Sequence, residues 1–157
     1  MISNYFLLYF SALIISFSIL GYGFLLSRII DKNLSSYNLG YQGLLGILFL
    51  TFISYLTIFF MKHGYIHNII IHIIGISSFV IYFNKKYSFN DLKKFLILFS
   101  ILFIGLLIIR NHDDFNYYHL TYSLGLTENK IFMGLGQFSD GYKYHSSLFF
   151  FFFFFIF

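Results

Sequence analysis

Tyr5-Phe-Leu-Leu-Tyr-Phe-Ser-Ala-Leu-Ile-Ile-Ser-Phe-Ser-Ile-Leu-Gly-Tyr-Gly-Phe-Leu-Leu-Ser27 carries no charge, and Arg28 is the first charged side chain of the chain. A helix needs roughly 20 apolar residues to cross a bilayer, and this stretch is long enough. It is far longer than the about 7–15 residues of a secretory h-region and has no basic residue before it, so it reads as a retained helix rather than a cleaved signal. The same pattern recurs along the chain. Residues 33–61, 63–84 and 95–109 are also free of Asp, Glu, Lys and Arg.

The composition agrees with that reading. Of the 157 residues, 59% are hydrophobic, 25% are aromatic and only 10% are charged, with a mean hydropathy of +0.79. A soluble domain carries about 25% charged residues because its surface must face water. There is no cysteine, which excludes disulfides, thiolate metal sites and thiol catalysis. The net charge of +4 comes from Lys and Arg that flank apolar segments instead of forming a stripe, so nucleic acid is not the expected partner. Abundant Phe, Ile, Tyr, Asn and Lys without any proline point to an AT-rich, bacterial gene, so no single aromatic is given functional weight.

The expected architecture is all-α: a polytopic transmembrane helix bundle with four full spans plus a truncated fifth. The spans are expected at about 5–30, 43–61, 65–83 and 95–110. Gly40, Gly43 and Gly46 recur every third residue at the start of the second, a spacing that permits close approach to a neighbouring helix. The fourth is short, and Lys94 and Arg110 would have to snorkel outward to complete it. Residues 111–147 form a polar loop with an interfacial helix, and 148–157, which include seven consecutive Phe, read as the start of a truncated span. An unsupported half-span leaves backbone carbonyls unsatisfied in lipid. The expectation is therefore an N-terminal fragment of a longer protein.

Orientation follows from Lys and Arg counted on each side. Arg28, Lys32, Lys85, Lys86, Lys93 and Lys94 fall on one side, against Lys62, Arg110, Lys130 and Lys143 on the other. The expected location is a bacterial inner membrane, with the N-terminus and the 111–147 loop outside the cytoplasm.

The chemistry concentrates just after the fourth span, in His112-Asp-Asp-Phe-Asn-Tyr-Tyr-His119. Two adjacent carboxylates at a bilayer exit repel each other and lose water, so one holds its proton to higher pH. Such a group suits general-base work, and the pair could equally bind a divalent cation through oxygens. Asp113 and Asp114 are thus the candidate catalytic and metal-ligating residues. The same pattern also fits a solvated interface pair with an Arg110–Asp114 contact one helical turn apart. His112, Tyr117, Tyr118, His119 and His145 are candidate substrate-binding residues, although interface tyrosines also form ordinary aromatic belts. Phe115, Tyr118, Tyr122 and Leu126 share a helical face, with Leu120 and Leu124 beside it, as in an interfacial amphipathic helix. His63, His67 and His72 have ligand-compatible spacing but no accompanying acid. Gly134-x-Gly136 lacks the strand and the third glycine of a dinucleotide loop.

Asp114-Phe-Asn-Tyr-Tyr-His-Leu-Thr-Tyr122, Gly134-Leu-Gly136 and His145-Ser-Ser147 resemble motifs of an uncharacterised bacterial membrane family similar to the GT-C class of membrane glycosyltransferases. The likeness covers about 105–150 and departs at Thr121, where Pro is usual, and at His145, where Asn is common. It implies a polyprenyl-phosphate-linked sugar as donor and membrane lipid as partner. It also implies that Asp113 or Asp114 activates the acceptor or helps bind a metal. Two alternatives stay open: a transporter or flippase subunit with the acid pair at a pathway mouth, and a truncated fragment without activity. Ionisable residues inside the spans would favour the transporter. The expected helices contain none apart from His67 and His72.

Overall fold

The computed structural model describes residues 2–30, 38–108 and 120–129. Five helices follow in order: α1 (Ile2–Ile30), α2 (Leu39–Thr57), α3 (Tyr65–Lys86), α4 (Phe89–Ile108) and α5 (Leu120–Glu128). Among the described residues there is no strand. Three segments are long and apolar enough to cross a membrane: Asn4–Ile30, Leu39–Thr57 and Tyr65–Lys85. The chain is therefore a helical bundle with the spans of a membrane-embedded protein.

Among the described residues that makes three spans by length and composition, where four were expected. Every 18-residue stretch of α4 contains Asp91, Lys93 and Lys94, which leaves its apolar part short. The Phe-rich segment at 148–157 lies outside the described residues.

Helix boundaries differ from the expected ones for local reasons. α2 starts at Leu39, not Gly43, because Asn38 caps it: its Oδ1 accepts a hydrogen bond of 2.9 Å from the amide of Tyr41. The same helix stops at Thr57, whose carbonyl accepts from the amides of Phe60 and Met61 and so closes the last turn. α4 starts at Phe89 because Ser88 and Asp91 satisfy each other as a capping box. The Asp91 carboxylate accepts from the Ser88 amide (2.9 Å) and hydroxyl (2.8 Å), and the Asp91 amide donates to the Ser88 hydroxyl (3.3 Å). These bonds hold the Asp91 carboxyl below the usual carboxylate range.

The chain divides into two compact units, Met1–Phe49 with His72–Arg110 and Leu50–Ile71 with Asn111–Phe157. In the first, α1 is the helix around which the others pack, and glycine makes this possible. A Cβ on Gly21 would collide with the carbonyl of Gly75 in α3, one on Gly75 with Ser18 of α1, and one on Gly46 with the carbonyl of Ile19. Of the glycine triplet in α2, only Gly46 serves this close contact. Gly40 and Gly43 meet nothing nearer than 3.5 and 3.9 Å, respectively.

Aromatic packing does the rest. Leu20, Phe24, Phe79 and Phe83 form a buried cluster. Phe17 stacks on Phe79 with ring centres 4.8 Å apart. α4 joins α1 through Tyr9, which packs edge-on against Phe99 and Phe103. The Ser100 hydroxyl donates to the carbonyl of Leu96, so the Tyr9 hydroxyl donates to Ser100 Oγ at 2.8 Å. Serines 11, 16 and 78 likewise donate to carbonyls four residues back, which hides their hydroxyls within apolar helices. Large apolar side chains remain exposed on α1 to α4, among them Phe6, Leu44, Ile66 and Ile101. Water would not tolerate so broad an apolar surface, whereas lipid does.

Candidate functional site

The residues expected to carry chemistry, Asp113, Asp114, His112, Tyr117, Tyr118, His119 and His145, lie outside the described residues. The second compact unit nevertheless contains a polar arrangement around the turn that joins α2 to α3.

His63 is the centre of that turn. It is fully buried although it sits in the seven-residue connection, 58–64, between two spans. The Thr57 hydroxyl donates to the carbonyl of Ile53 at 3.0 Å, so its single hydrogen is used. His63 Nε2 must therefore donate to Thr57 Oγ1, at 2.7 Å. The His63 and His67 rings stack at 4.5 Å with 16° between their planes, as residues four apart at the start of a helix can. His67 Nδ1 lies 3.2 Å from Asn68 Oδ1, and that oxygen only accepts. The His67 hydrogen is thus on Nδ1, and its Nε2 bears the lone pair in the neutral ring. Thr57, through its backbone and its hydroxyl, fixes both the end of α2 and the position of His63.

Burial, with a smaller contribution from the neighbouring His67, pushes the His63 pKa down to about 3. The unfolded chain would bind a proton near 6.5, so it holds more protons than the folded chain between about pH 3 and 6.5. Stability should then be flat above about pH 7 and fall by about 1.4 kcal/mol per unit as the pH drops below 6.5. Thermal melting of the detergent-solubilised chain at pH 7.5 and 5 checks this. His63→Gln should make the profile shallower, and an unchanged slope would show that another group is responsible.

Beside this turn lies a cavity of about 880 Å³. Met61, Ile66, Ile70 and Ile71 form its apolar wall, and Thr57, Lys62 and His67 its polar part. Thr127 of α5 completes the lining. The end of α5 is tied down locally: the Thr127 hydroxyl donates to the carbonyl of Leu124 at 2.7 Å, and a Cβ on Gly64 would stand 3.6 Å from the Thr127 carbonyl. Tyr122 of the same helix is buried, and that burial, with neighbouring Tyr55, pushes its phenol up to about 12. Tyr122 is thus an anchor of α5, while Leu120 and Leu124, expected beside it on the apolar face, are exposed.

His63 and His67 were legible only as a two-histidine spacing. Nothing in the sequence marks Thr57 as their partner, because that contact depends on where α2 stops. Among the described residues no three His, Asp or Glu side chains group as metal ligands. No family model matches the chain, and neither a curated protein nor a solved structure does.

Proposed function

We propose that this chain is the membrane-embedded part of a GT-C-like glycosyltransferase acting on polyprenyl-phosphate-linked sugars. The observation that supports this reading is the amphipathic cavity of about 880 Å³ at the α2–α3 turn. Its isoleucine wall suits a prenyl chain, and the Lys62 ammonium suits a phosphate. α5, a described part of the polar segment 111–147, lines the cavity through Thr127. In this reading the acceptor hydroxyl oxygen attacks the anomeric carbon of the donor. The bond from that carbon to the phosphate oxygen breaks, the phosphate leaves with the electron pair, and Asp113 or Asp114 takes the acceptor proton.

The finer topology belongs to the same proposal. α4 crosses as a fourth, short span: its apolar part from Phe95 to Ile108 is about 21 Å long, and Lys94 reaches outward to complete it. The Phe-rich segment begins a fifth. The Lys-rich loops face the cytoplasm of a bacterial cell, and the α2–α3 turn and residues 111–147 face outside. Among the described residues, the three apolar spans contain no Asp or Glu, and His67 and His72 are their only histidines; the lack of acids favours the enzyme over a transporter.

The cavity assignment is tested by retention of a polyprenyl phosphate on the purified full chain, followed by native mass spectrometry. Lys62→Gln should weaken retention about ten- to hundredfold, in keeping with the loss of one charge-assisted contact. Full retention in this variant would contradict the assignment.

A further inference from the structure

The first compact unit holds a second cavity, which the proposed transferase reading does not use. It measures about 430 Å³ and lies among α1, α2, the α3–α4 turn and α4. Leu20, Leu39, Phe95 and Leu98 give it apolar walls. Gly40 and Gly43 line it as well. These are the two glycines of the α2 triplet where an added Cβ would meet only ordinary van der Waals contact, although Gln42 beside them closes on Gly23 of α1, so their missing side chains leave space next to that crossing. From Asp91 to Leu98 the groove follows α4 for roughly 10 Å.

Its rim is polar and carries one acid and one base. Tyr87, Asp91 and Lys94 stand there. Asp91 is the one acid, and its carboxylate is turned to the amide and hydroxyl of Ser88. Lys93 precedes Lys94 on the same helix. In the same unit, Arg28 and Lys85 both lie over the Tyr82 ring, at 5.1 and 5.8 Å from its centre. Residues 85–94, which supply one side of the mouth, carry four lysines against one acid, so this apolar slot between membrane helices complements a molecule that has a hydrocarbon tail and an anionic head.

We infer that this groove binds an anionic phospholipid of the surrounding bilayer, with one acyl chain between α1, α2 and α4 and the phosphate against Lys94. Juxtamembrane lysines attract anionic headgroups generally. A site differs from that general attraction in two ways: it depends on a particular lysine, and it needs the tail as well as the head.

The experiment uses the full chain in a neutral detergent, titrated with phosphatidylglycerol, with phosphatidylcholine or with soluble glycerol phosphate, and reads the melting temperature and the lipid retained in native mass spectra. Phosphatidylglycerol should raise the melting temperature and stay bound, whereas phosphatidylcholine should bind about fivefold more weakly or worse. Glycerol phosphate should do nothing. Lys94→Gln should remove the preference, and so should Gly43→Leu, which fills the slot where an added Cβ meets only the end of the Leu20 side chain at 3.9 Å. Lys93→Gln, a change outside the lining, should leave the preference intact. The inference is overturned if the two phospholipids bind alike, or if glycerol phosphate alone shifts the melt. It is also overturned if Lys94→Gln keeps the preference, or if Lys93→Gln abolishes it equally.

Discussion

On the proposed transferase reading, replacing Asp113 or Asp114 by Asn should abolish most transfer activity in one of the two variants and leave the other nearly unchanged. Asparagine keeps the shape and much of the hydrogen bonding of aspartate but removes its charge and proton affinity. Only one carboxylate of an adjacent pair at a bilayer exit is favourably placed to hold a proton near neutrality. General-base catalysis contributes about 10²–10⁴-fold, so the damaging variant should lose activity on that scale in an assay of glycan assembly in cells. Both proteins should still insert to normal abundance, since the three apolar spans, Asn4–Ile30, Leu39–Thr57 and Tyr65–Lys85, are unchanged. Normal glycan assembly in both variants would reduce the pair to a solvated interface feature. An equal loss of protein from the membrane would indicate a structural role, most simply an Arg110–Asp114 ion pair.

Gly21→Val should cost the bundle about 3 kcal/mol or more, the upper end of what overpacking does in a close-packed interior. The added side chain would run into the Gly75 carbonyl and the Phe79 amide, which are backbone groups that no rotamer change can move. α1 and α3 would have to separate, and with them the stacked rings of Phe17 and Phe24 on Phe79. Gly43→Ala has the opposite balance. Its Cβ meets only ordinary van der Waals contact, while replacing glycine inside a helix gains up to about 1 kcal/mol. Thermal melts of the purified variants in one detergent should therefore move in opposite directions. Equal melts would mean that the glycine contacts of α1 do not hold the bundle together.

The contrast between these glycines shows what the sequence could convey. Charge-free windows mark spans because each residue is read against lipid alone, with no knowledge of partners needed. The three-residue spacing of Gly40, Gly43 and Gly46 announces close approach but not its target, and two of the three turn out to line a groove. Gly21 and Gly75, whose contact brings α1 and α3 together, lie 54 positions apart and share no local signature. The start of α4 was legible in principle from Ser88-x-x-Asp91, but the same Asp91 also reads as a lone acid in a basic loop. The histidine pair was visible, whereas its partner Thr57 was not. The acid pair and its tyrosines and histidines lie outside the described residues, so their reading rests on residue chemistry and on the family resemblance.

The central claim is that residues 111–147 work outside the cytoplasm while the Lys-rich turn between α3 and α4 lies inside. The chain has no native cysteine, which gives a clean background for single-cysteine labelling in intact cells. With a membrane-impermeant maleimide, Glu128→Cys should label at once, and Asn90→Cys only after the membrane is opened. Labelling of Asn90→Cys in intact cells, with Glu128→Cys protected, would invert the orientation and contradict an outward-facing site.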